Sequence, residues 1–332
     1  MKTAQVQAIP APPSLIGSLM AGFEAIANHI DLVLIPVLFD LLLWFGPHLR
    51  ISQLLDDLIA QLFTQPAMEA PETADIFRIS SEFWKVIAQR LNIFSMIRSY
   101  PIGVPSLMAA AQPTQTPLGQ PIYWELNASW QVVLLWLLVS LIGIAAGTLY
   151  FSTISQVVIS GGVSWQAAFT HWPWEVSQVL LLTLGWVFLL VVISIPASCL
   201  FSTILVSGMS LSGLAIFIFG GMVIWVLFPL FFSPHGIFVN HSPMRISVQD
   251  SLRLTRMAMP KTAMFFVIVL LIDEGFTLLW QIPADSSWLA LVGLVGHAFV
   301  ATGLIAASFV YYRDATRWRH RLVQQAQLSS HL

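Results

Sequence analysis

Long apolar runs with almost no charge decide what this chain can fold into. Val132–Phe151 reads VVLLWLLVSLIGIAAGTLYF, and Leu180–Leu200 reads LLLTLGWVFLLVVISIPASCL. Each is long enough to cross about 30 Å of hydrocarbon as a helix. Charged residues are 9% of the chain and apolar residues 57%. Soluble domains carry about a quarter charged residues. A surface this poor in charge has no stable arrangement in water, so the bilayer is the expected solvent. Backbone groups in lipid must be satisfied internally, which makes the spans helices.

The expected fold class is an all-α integral membrane protein with six transmembrane helices, over residues 30–46, 130–151, 177–200, 211–233, 262–282 and 288–312. Residues 1–13 read as a loose N-terminal tail, 14–312 as a single polytopic domain and 313–332 as a basic tail. Lys2 precedes no compact apolar core of a signal peptide, so the first span is expected to act as an uncleaved anchor. Arg245, Arg253, Arg256 and Lys261 lie between spans four and five, and Arg313, Arg317, Arg319 and Arg321 follow span six. The excess of basic residues in short loops puts both termini in the cytoplasm. Residues 47–128, the one long polar region, then form an extracytoplasmic cap, in which Pro101, Pro105, Pro113, Pro117 and Pro121 break the chain into an extended cover.

Three segments share one design. Gly22-Phe23, Ala168-Phe169 and Ser251-Leu252 each set a small residue beside a large one within an amphipathic segment that leads into spans one, three and five. The fold is thus expected as three hairpins, each introduced by an inner amphipathic surface helix. Ser14 is placed to cap the first such helix. Ser247 is placed to cap the third, with Asp250 at its capping-box position. Pro173 is expected to turn the chain before span three, and Pro260 to mark the bend into span five.

The run from Ser247 to Arg256, SVQDSLRLTR, followed by a span, resembles the repeat unit of bacterial multi-pass families. These are the membrane domain fused to some glycerophosphodiester phosphodiesterases, and related uncharacterised membrane proteins. The resemblance covers residues 160–312. Those families usually carry an aromatic pair after the second Arg, where this chain has Met257-Ala-Met. The resemblance implies a membrane module in the cytoplasmic membrane of a bacterium. It carries over no hydrolase activity, because no phosphodiesterase catalytic domain accompanies it.

Few residues could carry chemistry. Asp273 and Glu274 sit near the centre of span five, His297 falls at similar depth in the antiparallel span six, and Asp40 lies in span one. A charge at that depth costs a few kcal/mol or more. Such a polar cluster reads either as a proton or cation relay or as hydrogen-bonded glue between helices. Arg253, Arg256, Arg317, Arg319 and Arg321 are candidate contacts to anionic lipid headgroups. Gly143 and Gly147 form a GxxxG pair suited to close helix packing. His171, His235 and His241 map to the cytoplasmic surface without metal-ligand spacing, so no metal site is expected. Cys199 stands alone and can close no internal disulfide. No Walker, GxGxxG, GxSxG or EF-hand motif occurs, so neither catalytic residues nor a cofactor are expected. A net charge of −2 gives no nucleic-acid footprint.

The leading expectation is therefore a non-enzymatic scaffold, assembly or lipid-contacting module, with membrane lipids and a membrane-protein partner or a second copy as its contacts. A proton- or ion-coupled transporter using the buried acids is the alternative. A membrane-embedded lipid enzyme, which would need a polar cluster at headgroup level, is the third.

Overall fold

The computed structural model describes residues 12–63, 71–206 and 212–330. Most of the expected tail 1–13 and the first residue of expected span four lie outside them. The chain is helical, and among the described residues five helices are long and apolar enough to cross a membrane: Ser129–Ser160, Trp165–Cys199, Phe217–Asn240, Met259–Trp280 and Ala290–Gln327. A sixth is counted if Leu15–Ala27 and Ile30–Phe45, bent by 89° at their junction, act as one span.

Two compact units divide the chain. The first comprises Met1–His29, Phe151–Leu271 and Gly303–Leu332. It opens with α1 (Leu15–Ala27), whose expected cap is present: the Ser14 hydroxyl accepts from the Gly17 amide at 3.1 Å. The end of α6 (Ser129–Ser160) is followed by α7 (Trp165–Val206), α8 (Ser212–Leu227), a 3-10 turn (Phe228–Leu230) and α9 (Ser233–Asn240). Then come α10 (Met244–Met257), most of α11 (Met259–Trp280) and α12 (Ala290–Ser330) from Gly303 onward. Its core gathers Phe232, Leu254, Phe265, Ala307, Tyr311, Tyr312 and Ala315. Phe265 stacks on Tyr311 with centroids 4.4 Å apart. The small residue of each repeated pair, Gly22, Ala168 and Ser251, is buried. Ser251 donates to the Pro229 carbonyl at 2.7 Å, tying α10 to the preceding 3-10 turn.

Several boundaries differ from the sequence reading. Pro173 does not turn the chain. It lies inside α7, which runs unbroken from the amphipathic segment through the span, with Pro196 also inside. A proline removes one helical donor, and the intact turns on either side hold the axis. The second repeat copy is thus one helix, whereas the first breaks between α1 and the next 3-10 turn and the third at Ala258. Ser247 does not cap α10. Pro243, with φ −60° and ψ 151°, starts that helix, and Ser247 is buried with its hydroxyl against Gly236. Asp250 caps nothing and pairs with Arg319 at 3.0 Å. The expected tail 313–332 is no tail through Ser330, where it continues α12, and Arg313 donates to the Val158 carbonyl at 3.0 Å.

The second unit comprises Ile30–Tyr150 and Ile272–Thr302. A 3-10 turn (Ile30–Val33) leads into α2 (Leu34–Phe45), then β1 (His48–Arg50), α3 (Ser52–Phe63) and α4 (Pro71–Arg90). A second 3-10 turn (Ile93–Ile97), α5 (Leu107–Ala111) and β2 (Tyr123–Glu125) precede the start of α6. Residues 64–70 of the expected cap lie outside the described residues; in the rest, β1 and β2 pair in parallel, with His48 opposite Tyr123 and Arg50 opposite Glu125. The Arg50 guanidinium lies 3.4 Å over the Tyr123 ring. The Asn92 side chain accepts from the Leu49 and Phe94 amides at 3.1 Å each, which joins the strand to the 3-10 turn. A second core of Leu43, Trp44, Leu107, Met108, Ala290 and Leu294 seals α2 to α5.

Gly143 and Gly147 do pack closely, but not on a helix. A Cβ on Gly143 would overlap the Ile97 carbonyl and lie 2.8 Å from the Ile97 Cα. A Cβ on Gly147 would lie 3.0 Å from the Gly103 Cα. The stripe seats the irregular segment 97–103. Small residues admit any close backbone, and a loop with its own glycine fits as well as a helix does.

Candidate functional site

Among the described residues no hydrogen bond joins Asp40, Asp273, Glu274 and His297 to one another. Asp40 is fully buried in α2. It accepts from the Ser106 hydroxyl, the Leu107 amide at 3.1 Å and the Met108 amide at 2.9 Å. Those amides open α5 and have no partner within their own helix, so Asp40 is a structural cap supplied from a distant helix. On α11, Asp273 is half-buried and Glu274 is exposed. His297 on α12 is buried, and its Nδ1 has no hydrogen-bond partner. Among the described residues no hydrogen bond joins Asp273 or Glu274 to His297. Equal depth brings two helices' residues level, but the rotation of each helix decides which faces meet, and adjacent positions diverge by about 100°. The element the sequence reading missed is Arg98, which lies within electrostatic range of Asp40, Asp273 and His297.

Of the five candidate headgroup contacts, Arg253, Arg256, Arg317 and Arg321 are exposed. Arg319 is not available in the same way, because its guanidinium is spent on Asp250, with both side chains largely shielded. The three histidines also part company. His171 and His241 are exposed, their rings 4.9 Å apart. His235, read as a surface residue, is 4% exposed and its Nε2 lies 2.8 Å from the Ser308 hydroxyl. Apolar flanks on α9, Phe232 and Phe238, carry it inward.

A cleft of about 240 Å³ in the first unit collects residues that the sequence reading left scattered. The end of α6 lines it with Ser152, Ser155, Gln156 and Ser160, α7 with His171 and Glu175, and the end of α9 with Phe238, Val239 and then His241. Glu175 is 0% exposed, and neither carboxylate oxygen has a hydrogen-bond partner. The Ser152 hydroxyl faces it outside hydrogen-bond geometry. The His241 Nδ1 stands 3.7 Å from its Oε1. His241 holds a left-handed backbone at φ 46°, which ends α9 and swings the imidazole toward α7. Burial, followed by the neighbouring His171, pushes the His241 imidazole below its usual pKa, which keeps it neutral at pH 7. Among the described residues no three His, Cys, Asp or Glu side chains converge on a metal position. One signal in the sequence could have found this site: Glu175 is the single charged residue of α7 and follows His171 by one helical turn.

No family model, no curated protein and no solved structure matches this chain. What the described residues define is a class: a helical protein with five or six helices long and apolar enough to cross a membrane.

Proposed function

We propose that this chain is a non-enzymatic multi-pass protein of a bacterial cytoplasmic membrane that works by contact, assembling with another membrane protein or a second copy while its basic surfaces meet lipid headgroups. In this reading six spans form three hairpins, both termini are cytoplasmic and residues 47–128 lie outside, a layout in keeping with the resemblance to phosphodiesterase-associated membrane domains. One observation carries the assembly role. Glu274 is exposed on α11 among exposed Leu270, Leu271 and Leu278. A carboxyl facing hydrocarbon costs a few kcal/mol, and a partner helix offering a hydrogen-bond donor removes that cost. Replacing Glu274 by Leu is expected to keep helix content and to release the partner. Sizing of extracts from native membranes in a mild detergent reads this directly. An unchanged elution mass for Glu274→Leu would sink the assembly role.

Arg98, placed near Asp40, Asp273 and His297, favours ion- or proton-coupled transport as a second reading. Under it, Asp273→Asn accumulates like the parent and loses proton or cation flux in reconstituted vesicles. Equal flux in parent and variant retires that reading.

A further inference from the structure

The cleft around Glu175 has the makings of a ligand site. An unpaired buried carboxylate is costly, and Glu175 has no hydrogen-bond partner for either oxygen. Its nearest titratable neighbour, His241, stays at 3.7 Å, beyond hydrogen-bond reach. No Lys or Arg lines the cleft. A cation brought in from outside the chain would give this carboxylate the direct partner it lacks. The lining adds hydroxyls from Ser152, Ser155 and Ser160, which can accept from a donor-rich cation or donate to a polar substituent on it. A volume of about 240 Å³ suits a compact polar group, since a water takes about 30 Å³ of liquid.

We propose that this cleft binds a primary ammonium group carried on a short hydroxylated or phosphorylated stem, with the ammonium against Glu175 and the serine hydroxyls of α6 around it. The same chemistry is presented by a free amino alcohol and by an ethanolamine lipid headgroup. The exposed His241 imidazole stands over the carboxylate and must swing aside for the ligand. His171 and His241 are the other titratable groups facing Glu175 within the lining. Protonating the His241 imidazole sets a cation against the incoming cation, so binding weakens in acid. The site does not depend on the assembly reading, and Glu274→Leu leaves it intact.

Thermal unfolding of the purified full chain tests the proposal. In mild detergent, free ethanolamine is titrated against matched sodium chloride. In nanodiscs, phosphatidylethanolamine is compared with phosphatidylglycerol. A saturable rise in Tm with ethanolamine identifies a soluble amine, and a rise confined to phosphatidylethanolamine discs identifies the headgroup; either supports the site. Glu175→Gln, nearly the same shape, is expected to weaken the apparent affinity by about tenfold or more, the scale of a lost charged hydrogen bond. His241→Ala, which removes the competing imidazole, is expected to bind more tightly, and the parent more weakly at pH 6 than at pH 8. No rise with either amine source, or the same rise in Glu175→Gln, overturns the proposal. Should Glu175→Gln fail to accumulate, the His241→Ala and pH comparisons decide it: equal binding in both would also overturn it.

Discussion

Asp40→Ala is expected to destabilise the second unit by about 3–5 kcal/mol. The substitution strands the Ser106 hydroxyl and the Leu107 and Met108 amides, all of which donate to this carboxylate inside the protein. Leaving one buried donor unsatisfied costs about 1–3 kcal/mol, and the three losses overlap because they belong to one turn. The Ser106 hydroxyl still accepts from the Ala109 amide at 2.9 Å, so α5 keeps a weaker cap of its own. Asp40→Asn retains one acceptor oxygen and should lose less than half as much. Denaturant titration in mild detergent, followed by Trp fluorescence, distinguishes the two, since Trp44 sits in the core that α5 helps close. An Asp40→Ala protein as stable as the parent would mean that α5 is not held from α2.

Gly143→Leu is expected to expel the segment 97–103 from its seat on α6, at a cost of about 3 kcal/mol. The obstacle is backbone, the carbonyl and Cα of Ile97, so no rotamer change relieves it. The segment carries Arg98 beside it, and its release exposes a site for trypsin. Faster cleavage after Arg98 in Gly143→Leu than in the parent is therefore the direct readout. If the glycine pair instead seated a partner helix, the variant would change its oligomeric mass and leave that cleavage rate alone.

Much of the architecture was legible because apolar runs constrain the backbone by themselves. The Val132–Phe151 and Leu180–Leu200 runs could only be long helices in lipid, and the Ser14 cap depends on residues within one turn of it. What escaped is what depends on partners far along the chain. Asp40 looked like one more buried acid, because the amides it binds belong to residues 107 and 108 in a proline-broken stretch. Three-residue strands at His48 and Tyr123 carry no periodicity from which to read a pair. Pro173 and Ser247 misled for the same reason: each has a local preference that its surroundings override, one held within a long helix and the other drawn into the core. Glu175 did leave a signal as the only charge on its helix. Its cleft needed walls from α6 and the end of α9, which no local pattern announces.

α12 is synthesised after every element it completes. Ala307 meets the face left open at Gly22, Ser308 meets His235, Arg319 meets Asp250 and Thr302 lies 2.7 Å from the Tyr150 hydroxyl. Ala307 follows Gly22 by 285 residues, so at ribosomal speed the first of these faces waits on the order of tens of seconds for its partner. Until α12 emerges, each nascent copy that has reached Asp250 holds an imidazole, a phenol and a carboxylate without their final neighbours. Biogenesis of this protein thus has a built-in delay: however early the leading helices enter the bilayer, neither unit closes until the last one arrives.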